Sequence, residues 1–176
     1  MAYEFSCQEC YKLQPQKSVV IEMKDRKTKH TSPSFELQLN DSILPNSDKA
    51  VHVGIQRSKT GKETIENNVY NNITKARRTA YSLMSEGFHG NNGLDPITYI
   101  HILKTYNILT LTYRLEIIVP DKTNLEEIVK FHKRIIKQIL YLPQSTPDVV
   151  QYVISRLIPI DRSILEYWHL YTIYFY

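Results

Sequence analysis

A chain of 176 residues with 42% hydrophobic and 23% charged residues is long enough to bury a core and too apolar for a disordered tail. Its net charge of +4 and pI near 8.9 suit a phosphate-bearing partner without requiring one. Two cysteines make no disulfide framework, no apolar run approaches the ~20 residues of a membrane span, and MAYEFSCQEC lacks the basic and apolar regions of a signal peptide. The expectation is an intracellular domain, cytoplasmic or nuclear, neither secreted nor membrane-bound.

Up to Ile55 the pattern reads as strands joined by polar connectors, with a short helix around Tyr3 to Leu13. Lys17 to Met23 (KSVVIEM) carries the β-branched run of a buried strand, and after the charged loop DRKTKHTSPS, Phe35, Leu37 and Leu39 alternate with Glu36, Gln38 and Asn40 as in a half-buried one. NDSILPNSD supplies turn residues, and Ala50 to Ile55 (AVHVGI) reads as a further strand. Together these predict a small antiparallel sheet edge.

From Thr60 the period becomes helical. Thr60 and Glu63 fit a capping box, and Ile65, Val69, Ile73, Ala76, Ala80, Leu83 and Met84 fall on one face. Gly87 suits a left-handed stop that folds Phe88 back on Leu83, and Asp95 caps a new helix whose first residue is Pro96. Ile108 to Val119 alternates like a strand but also carries a helical stripe of Ile108, Leu111, Leu115 and Ile118; local pattern alone slightly favours the strand. After Pro120, Thr123 and Glu126 suggest a second capping box. Leu125, Ile128, His132, Ile135, Ile139 and Leu142 then form a buried face that stops at Pro143, with Lys130, Lys133, Arg134 and Lys137 as a basic row on the outside. Thr146-Pro147-Asp148 opens a short helix bearing Val150, Val153, Ile154 and Leu157.

Most motif-like stretches fail on spacing. Cys7-x-x-Cys10 is half a zinc site, but no second cysteine pair exists and no two histidines lie three to five residues apart, so no metal site is expected. Gly54 to Lys62 (GIQRSKTGK) puts six residues between its glycines where a phosphate loop has four. Gly87-x-x-Gly90-x-x-Gly93 follows a helix rather than a strand, which makes it an interhelical turn and not a dinucleotide fingerprint. No nucleophile motif supports hydrolase chemistry. The sequons at Asn40 and Asn72 read as chance matches in a chain expected to stay inside the cell.

The ordered set of segments resembles the end of the palm and the thumb of reverse transcriptases from non-long-terminal-repeat (LINE-type) retrotransposons. Leu13-Gln14-Pro15-Gln16-Lys17-Ser18 is similar to that family's Asn/Gln-Pro-x-Lys-Ser/Thr segment, and His52-Val53-Gly54-Ile55 to its primer-grip hairpin, with Val53 in place of the usual leucine. Ala76 to Met84 (ARRTAYSLM) followed by Gly90-Asn91-Asn92-Gly93-Leu94-x-Pro96 resembles the first thumb helices. Tyr113-Arg114-Leu115-Glu116 matches a Tyr-Gly-x-Glu pattern with Arg114 replacing the glycine. Phe131-His132-Lys133-Arg134 and Leu142-Pro143 match the next helix and its stop.

The resemblance implies an α+β, predominantly α, fold: a partial palm with the primer-grip hairpin over 1–58, a helical thumb-like domain over 59–160, and a divergent apolar and aromatic tail over 161–176. It implies that Ile108 to Val119 is helical, against the local alternation. It implies binding of an RNA/DNA template–primer duplex, with Lys17 near the incoming nucleotide, His52, Val53, Gly54 and Ile55 at the primer end, and Arg77, Arg78, Lys130, Lys133, Arg134 and Lys137 on backbone phosphates. The family polymerises DNA with magnesium ions held by palm aspartates in an aromatic-Ala-Asp-Asp turn; this sequence has no adjacent aspartates and is expected to bind no cofactor and to lack polymerase activity by itself. The alternative is a helical protein-interaction module or inert remnant without nucleic-acid binding.

Overall fold

The structure, a computed structural model, describes residues 8, 17–23, 36–39, 42–86 and 95–166. Most of the expected helix around Tyr3 to Leu13, with Cys7 and Cys10, the Gly87 to Gly93 loop with Phe88, and the tail beyond Glu166 lie outside these residues. The chain divides into two compact units, Met1–Thr64 and Ile65–Tyr176.

Among the described residues the first unit holds two antiparallel hairpins in separate sheets. β1 (Gln38–Leu39) pairs with β2 (Ser42–Ile43), and β3 (Lys49–His52) with β4 (Ile55–Ser58) in the register Lys49 to Ser58 through His52 to Ile55. Three strand expectations are corrected. Lys17 to Met23 is not a buried strand: among the described residues its ladder is one parallel bridge at Val20, whose amide donates to the Pro45 carbonyl at 3.0 Å, and Val19 and Met23 are exposed. Among the described residues the alternation around Leu37 and Leu39 yields the two-residue β1, with Leu37 exposed. Ala50 to Ile55 is not one strand but the bend of a hairpin. Val53 at φ 50° and Gly54 at φ 71° make the two-residue turn with both residues left-handed, whose twist matches that of the strands it joins. Glycine takes this conformation freely, whereas a β-branched valine is strained there.

β4 runs into α1 (Gly61–Ser85) through a buried polar knot. Thr60 Oγ1 accepts from the Glu63 amide at 3.2 Å, the expected cap, and the Ser58 amide donates to Thr64 Oγ1 at 3.0 Å. The Glu63 carboxylate pairs with Lys49 at 2.9 Å.

In the second unit the stripe predicted for α1 is realised: Val69, Ala76 and Ala80 are buried, and Ile65, Ile73 and Met84 pack against the same core. α2 (Pro96–Ile102) starts as the sequence dictates, with an Asp95 oxygen accepting from the Ile97 and Thr98 amides at 2.8 and 3.2 Å. The rod continues through a π-helical segment, Leu103–Ile108, into α3 (Leu109–Thr112). The buried residues Tyr99, Leu103, Asn107 and Leu111 recur every four positions along it. A regular α-helix at 3.6 residues per turn would swing such a row about 40° with each step, and the wider π turns take up that drift. Thr105, Thr110 and Thr112 direct their hydroxyls to carbonyls four residues back, at 2.9, 2.7 and 3.0 Å.

The strand reading of Ile108 to Val119 is therefore overturned, and the helical one holds only to Thr112. Tyr113 leaves the helix, Arg114 is left-handed at φ 64°, and turns continue to Ile118, whose amide donates to the Arg114 carbonyl at 3.0 Å. Burial of Leu111 and Leu115 against the core decides this against the local alternation.

α4 (Lys122–Ile139) is capped by Asp121, which accepts from the Asn124 amide at 2.8 Å, and not by the expected Thr123 and Glu126 box. It ends before Pro143 in a Schellman closure: the Leu142 amide donates to the Lys137 carbonyl at 2.8 Å, the Tyr141 amide to the Gln138 carbonyl at 3.3 Å, and Tyr141 is left-handed at φ 53°. Phe131 and Ile136 join the predicted buried residues. α5 (Asp148–Ser155) turns its polar side inward: Gln151 and Ser155 are buried while Val149, Val150, Val153 and Ile154 are exposed. Asp148 fixes that rotation, because its carboxylate is held by two α4 lysines and Gln151 and Ser155 lie on the same helical face as Asp148. A further helix, over 160–166, adds Ile160 and Ile164 to the core.

His132 sits inside this core at 1% exposure, 6.1 Å from the Tyr152 ring centroid, with both ring nitrogens lacking a hydrogen-bond partner among the described residues. Burial pushes its pKa from 6.5 down to about 4; Asp161 opposes the shift and Lys133 adds to it. The folded protein therefore holds His132 neutral where the unfolded chain protonates it, so stability is complete above about pH 6.5 and falls as the pH drops toward 4. The full loss is about 3 kcal/mol. Urea denaturation at neutral pH and near pH 4 should show it, and His132→Leu should remove most of the difference.

Candidate nucleic-acid interface

The expected interface residues fall in both units. In the first, the turn exposes His52, Val53 and Gly54 at the hairpin tip, while Ile55 is buried and anchors it. The tip thus presents backbone and one imidazole to solvent. Lys17 is exposed and forms no ion pair among the described residues. Away from the tip the hairpin is held by pairs at its base, Lys49 to Glu63 at 2.9 Å and Lys59 to Asp48 at 2.6 Å.

In the second unit the row on α4 is not the free cationic face its spacing predicts. Lys130 pairs with Glu127 at 3.0 Å, one turn back on the same helix. Lys133 reaches Asp148 Oδ2 at 2.7 Å and Lys137 reaches Oδ1 of the same carboxylate at 3.2 Å. Lys137 is placed inside, not outside: its side chain is 9% exposed and also donates to the Gln144 carbonyl at 3.1 Å. The Lys133 hydrogen bond, then that of Lys137, hold the Asp148 carboxyl below its ordinary range. These two lysines tie α5 to α4, and much of their charge is spent locally. Arg134 is exposed and has no ion pair among the described residues.

On α1, Arg77 and Arg78 are exposed but face different ways, since successive helical residues are ~100° apart. The Arg77 guanidinium lies 5.9 Å from the centroid of the Phe131 ring on α4, within a turn of Arg134. Arg78 instead shares a face with Lys75, one turn before it. That face borders a groove the sequence reading missed, of about 410 Å³, lined by Asn72, Lys75, Thr105, Tyr106, Leu109, Thr110 and Tyr113. The Arg114 guanidinium lies 4.0 Å over the Tyr113 ring. The available signal was that Tyr106 and Tyr113 stand off the four-residue row of Tyr99, Leu103, Asn107 and Leu111, which buries that side of the rod.

Magnesium-dependent chemistry needs a convergent set of oxygen ligands. No group of three or more His, Cys, Asp or Glu side chains that could hold a metal lies among the described residues. No described helix is long and apolar enough to cross a membrane.

Compared with known protein families, curated proteins and solved structures, the chain finds no match in any of the three.

The two kinds of cation separate experimentally. Lys137→Ala should cost ~2 kcal/mol in urea denaturation, because it removes a nearly buried ammonium and leaves the Gln144 carbonyl and half of Asp148 unpaired. Arg134→Ala should change stability by less than about 0.5 kcal/mol, as exposed substitutions do.

Proposed function

We propose that this chain is the palm end and thumb of a LINE-type reverse transcriptase, and that its own capacity is to hold a template–primer duplex through backbone phosphates. One observation carries the reading. Arg114, which stands where the Tyr-Gly-x-Glu pattern has glycine, has φ 64°, a conformation that glycine adopts without strain. A sequence resemblance would not by itself predict that backbone. The hairpin turn at Val53 and Gly54, inside the His-Val-Gly-Ile segment, is a second coincidence of the same kind.

In this reading the exposed tip His52 to Gly54 positions the primer end, and Arg77, Arg78 and Arg134 contact phosphates, with Lys130 and Lys133 contributing through what their carboxylate partners leave. Lys137 acts on the fold and not on the ligand. Lys17 lies near the incoming nucleotide, where its ammonium would face a leaving phosphate. Polymerisation requires the aspartates and magnesium of a palm, and the capacity proposed here is gripping alone.

The exposed apolar face of α5, with Val149, Val150, Val153 and Ile154, favours a second reading, a helical module that docks another protein. Salt dependence separates the two. Under the first, a primer–template duplex binds at low salt and its affinity falls linearly on a log–log salt plot. Replacing Arg78 and Arg134 together by alanine weakens binding to all sequences alike and makes the slope shallower by about 2. Absence of binding at low salt, or binding indifferent to salt, overturns it. Fluorescence anisotropy of a labelled duplex makes the measurement.

A further inference from the structure

The groove beside Tyr106 and Tyr113 combines features that neither a duplex grip nor a solvated surface requires. Both tyrosines are large, aromatic and open to solvent, at 60% and 50% exposure, in a rod whose other aromatic, Tyr99, is buried. They are seven residues apart in the chain, and both line the groove. Lys75 lines the groove from α1, and neither it nor Arg114 forms an ion pair among the described residues. No acidic residue is among the described residues lining the groove.

The walls are also held in place. Asn72 donates from α1 to the carbonyls of Leu111 and Tyr113 at 3.2 and 2.8 Å, fixing the point where Tyr113 leaves the helix. Thr110 donates to the carbonyl of Tyr106 at 2.7 Å. Arg114, turned back by its left-handed backbone, lies over the Tyr113 ring and covers one face of it. The result is a groove with two open tyrosine rings and Lys75 in its wall, and Arg114 against one of the rings.

Aromatic faces stack on any base, and cations beside them follow the backbone that links successive bases. Paired bases inside a duplex stack on each other and offer no free face, so an aromatic surface favours unpaired nucleotides. A volume of about 410 Å³ lies in the ~300–1,000 Å³ range of sites that take a small organic ligand. We infer that the groove between α1 and the Leu103–Thr112 rod binds single-stranded nucleic acid, stacking unpaired bases on Tyr106 and Tyr113 with Lys75 and Arg114 on the flanking phosphates. This rests on the nucleic-acid reading above and adds to it a strand that is not base-paired. In a template–primer complex that strand is the overhanging template.

Fluorescence anisotropy with a labelled oligothymidylate and, separately, with a fully paired duplex tests the assignment. The whole chain should bind the oligothymidylate at low salt. Tyr106→Ala with Tyr113→Ala should lower that affinity about tenfold or more, Tyr106→Phe with Tyr113→Phe should retain it, and duplex affinity should stay nearly constant throughout. Lys75→Glu, at an exposed position, should also weaken the single strand, and it supplies a test should the alanine pair fail to fold by circular dichroism. An oligothymidylate affinity unchanged by the alanine pair or by Lys75→Glu overturns the groove while leaving the duplex reading intact. Equal losses from the alanine and phenylalanine pairs, or equal losses on single strand and duplex, overturn stacking. A whole chain that binds duplex but no oligothymidylate overturns the groove alone, and one that binds neither overturns both proposals.

Discussion

Two side-chain amides and a stretch of small residues hold the second unit in the form on which its surface depends. Ala76 and Ala80, fully buried on α1, present only methyl groups to the core, and at Ala76 the rod of α2, the π segment and α3 comes close enough to reach the α1 backbone. At that separation Asn107 on the rod donates to the Ala76 carbonyl, and Asn72 on α1 donates to the Leu111 and Tyr113 carbonyls where the rod ends. Each amide is buried and satisfied by backbone, which makes the contact directional where hydrophobic packing is not. The consequences run outward. The π turns keep Asn107 in line with Leu103 and Leu111, the helix ends at Thr112, Arg114 turns left-handed, and Tyr113 is presented beside Lys75. The sequon at Asn72 has no room for a glycan because its amide is committed to this contact.

Where sequence and structure agree, the signal was local and repeated. The Thr60 cap, the α1 stripe and the Asp95-Pro96 start depend on residues within a few positions of one another, and each was legible. Where the structure goes beyond the local signal, the deciding partner was distant in sequence. α5 shows its valines to solvent because Asp148 answers to Lys133 and Lys137, and nothing in TPDVVQYVIS announces those partners. Helix ends were hidden for another reason. Arg114, Tyr141 and Arg156 hold left-handed positions that usually call for glycine, so the residues that mark three stops look like ordinary chain. Lys17 to Met23 shows the converse: a β-branched run reads as a strand, but a strand needs a partner, and among the described residues it has one bridge.

The same logic separates structural from available charge. A row of four cations on one helical face looks like a phosphate track in sequence. In the fold, one carboxylate neutralises much of two of them and a neighbouring glutamate engages a third. Cations that remain open on α1 and at Arg114 stand beside aromatic rings, Phe131 for Arg77 and Tyr113 for Arg114. Open cations therefore gather on α1 and at the end of the rod, whereas three of the four on α4 are engaged by carboxylates. The hairpin in the first unit has an exposed tip at Val53 and Gly54, both left-handed.

In the proposed reading, nucleic acid meets this chain at the hairpin tip and at the α1 and Tyr106–Arg114 surface. Amide hydrogen exchange, with and without a primer–template carrying a single-stranded overhang, tests it most directly. The account predicts slowed exchange around His52 to Gly54, around Lys75 to Arg78 and from Tyr106 to Arg114, with Lys137 to Asp148 unchanged. Slowing confined to the apolar face of α5, or a bound nucleic acid that leaves all three of those segments unaltered, would contradict it.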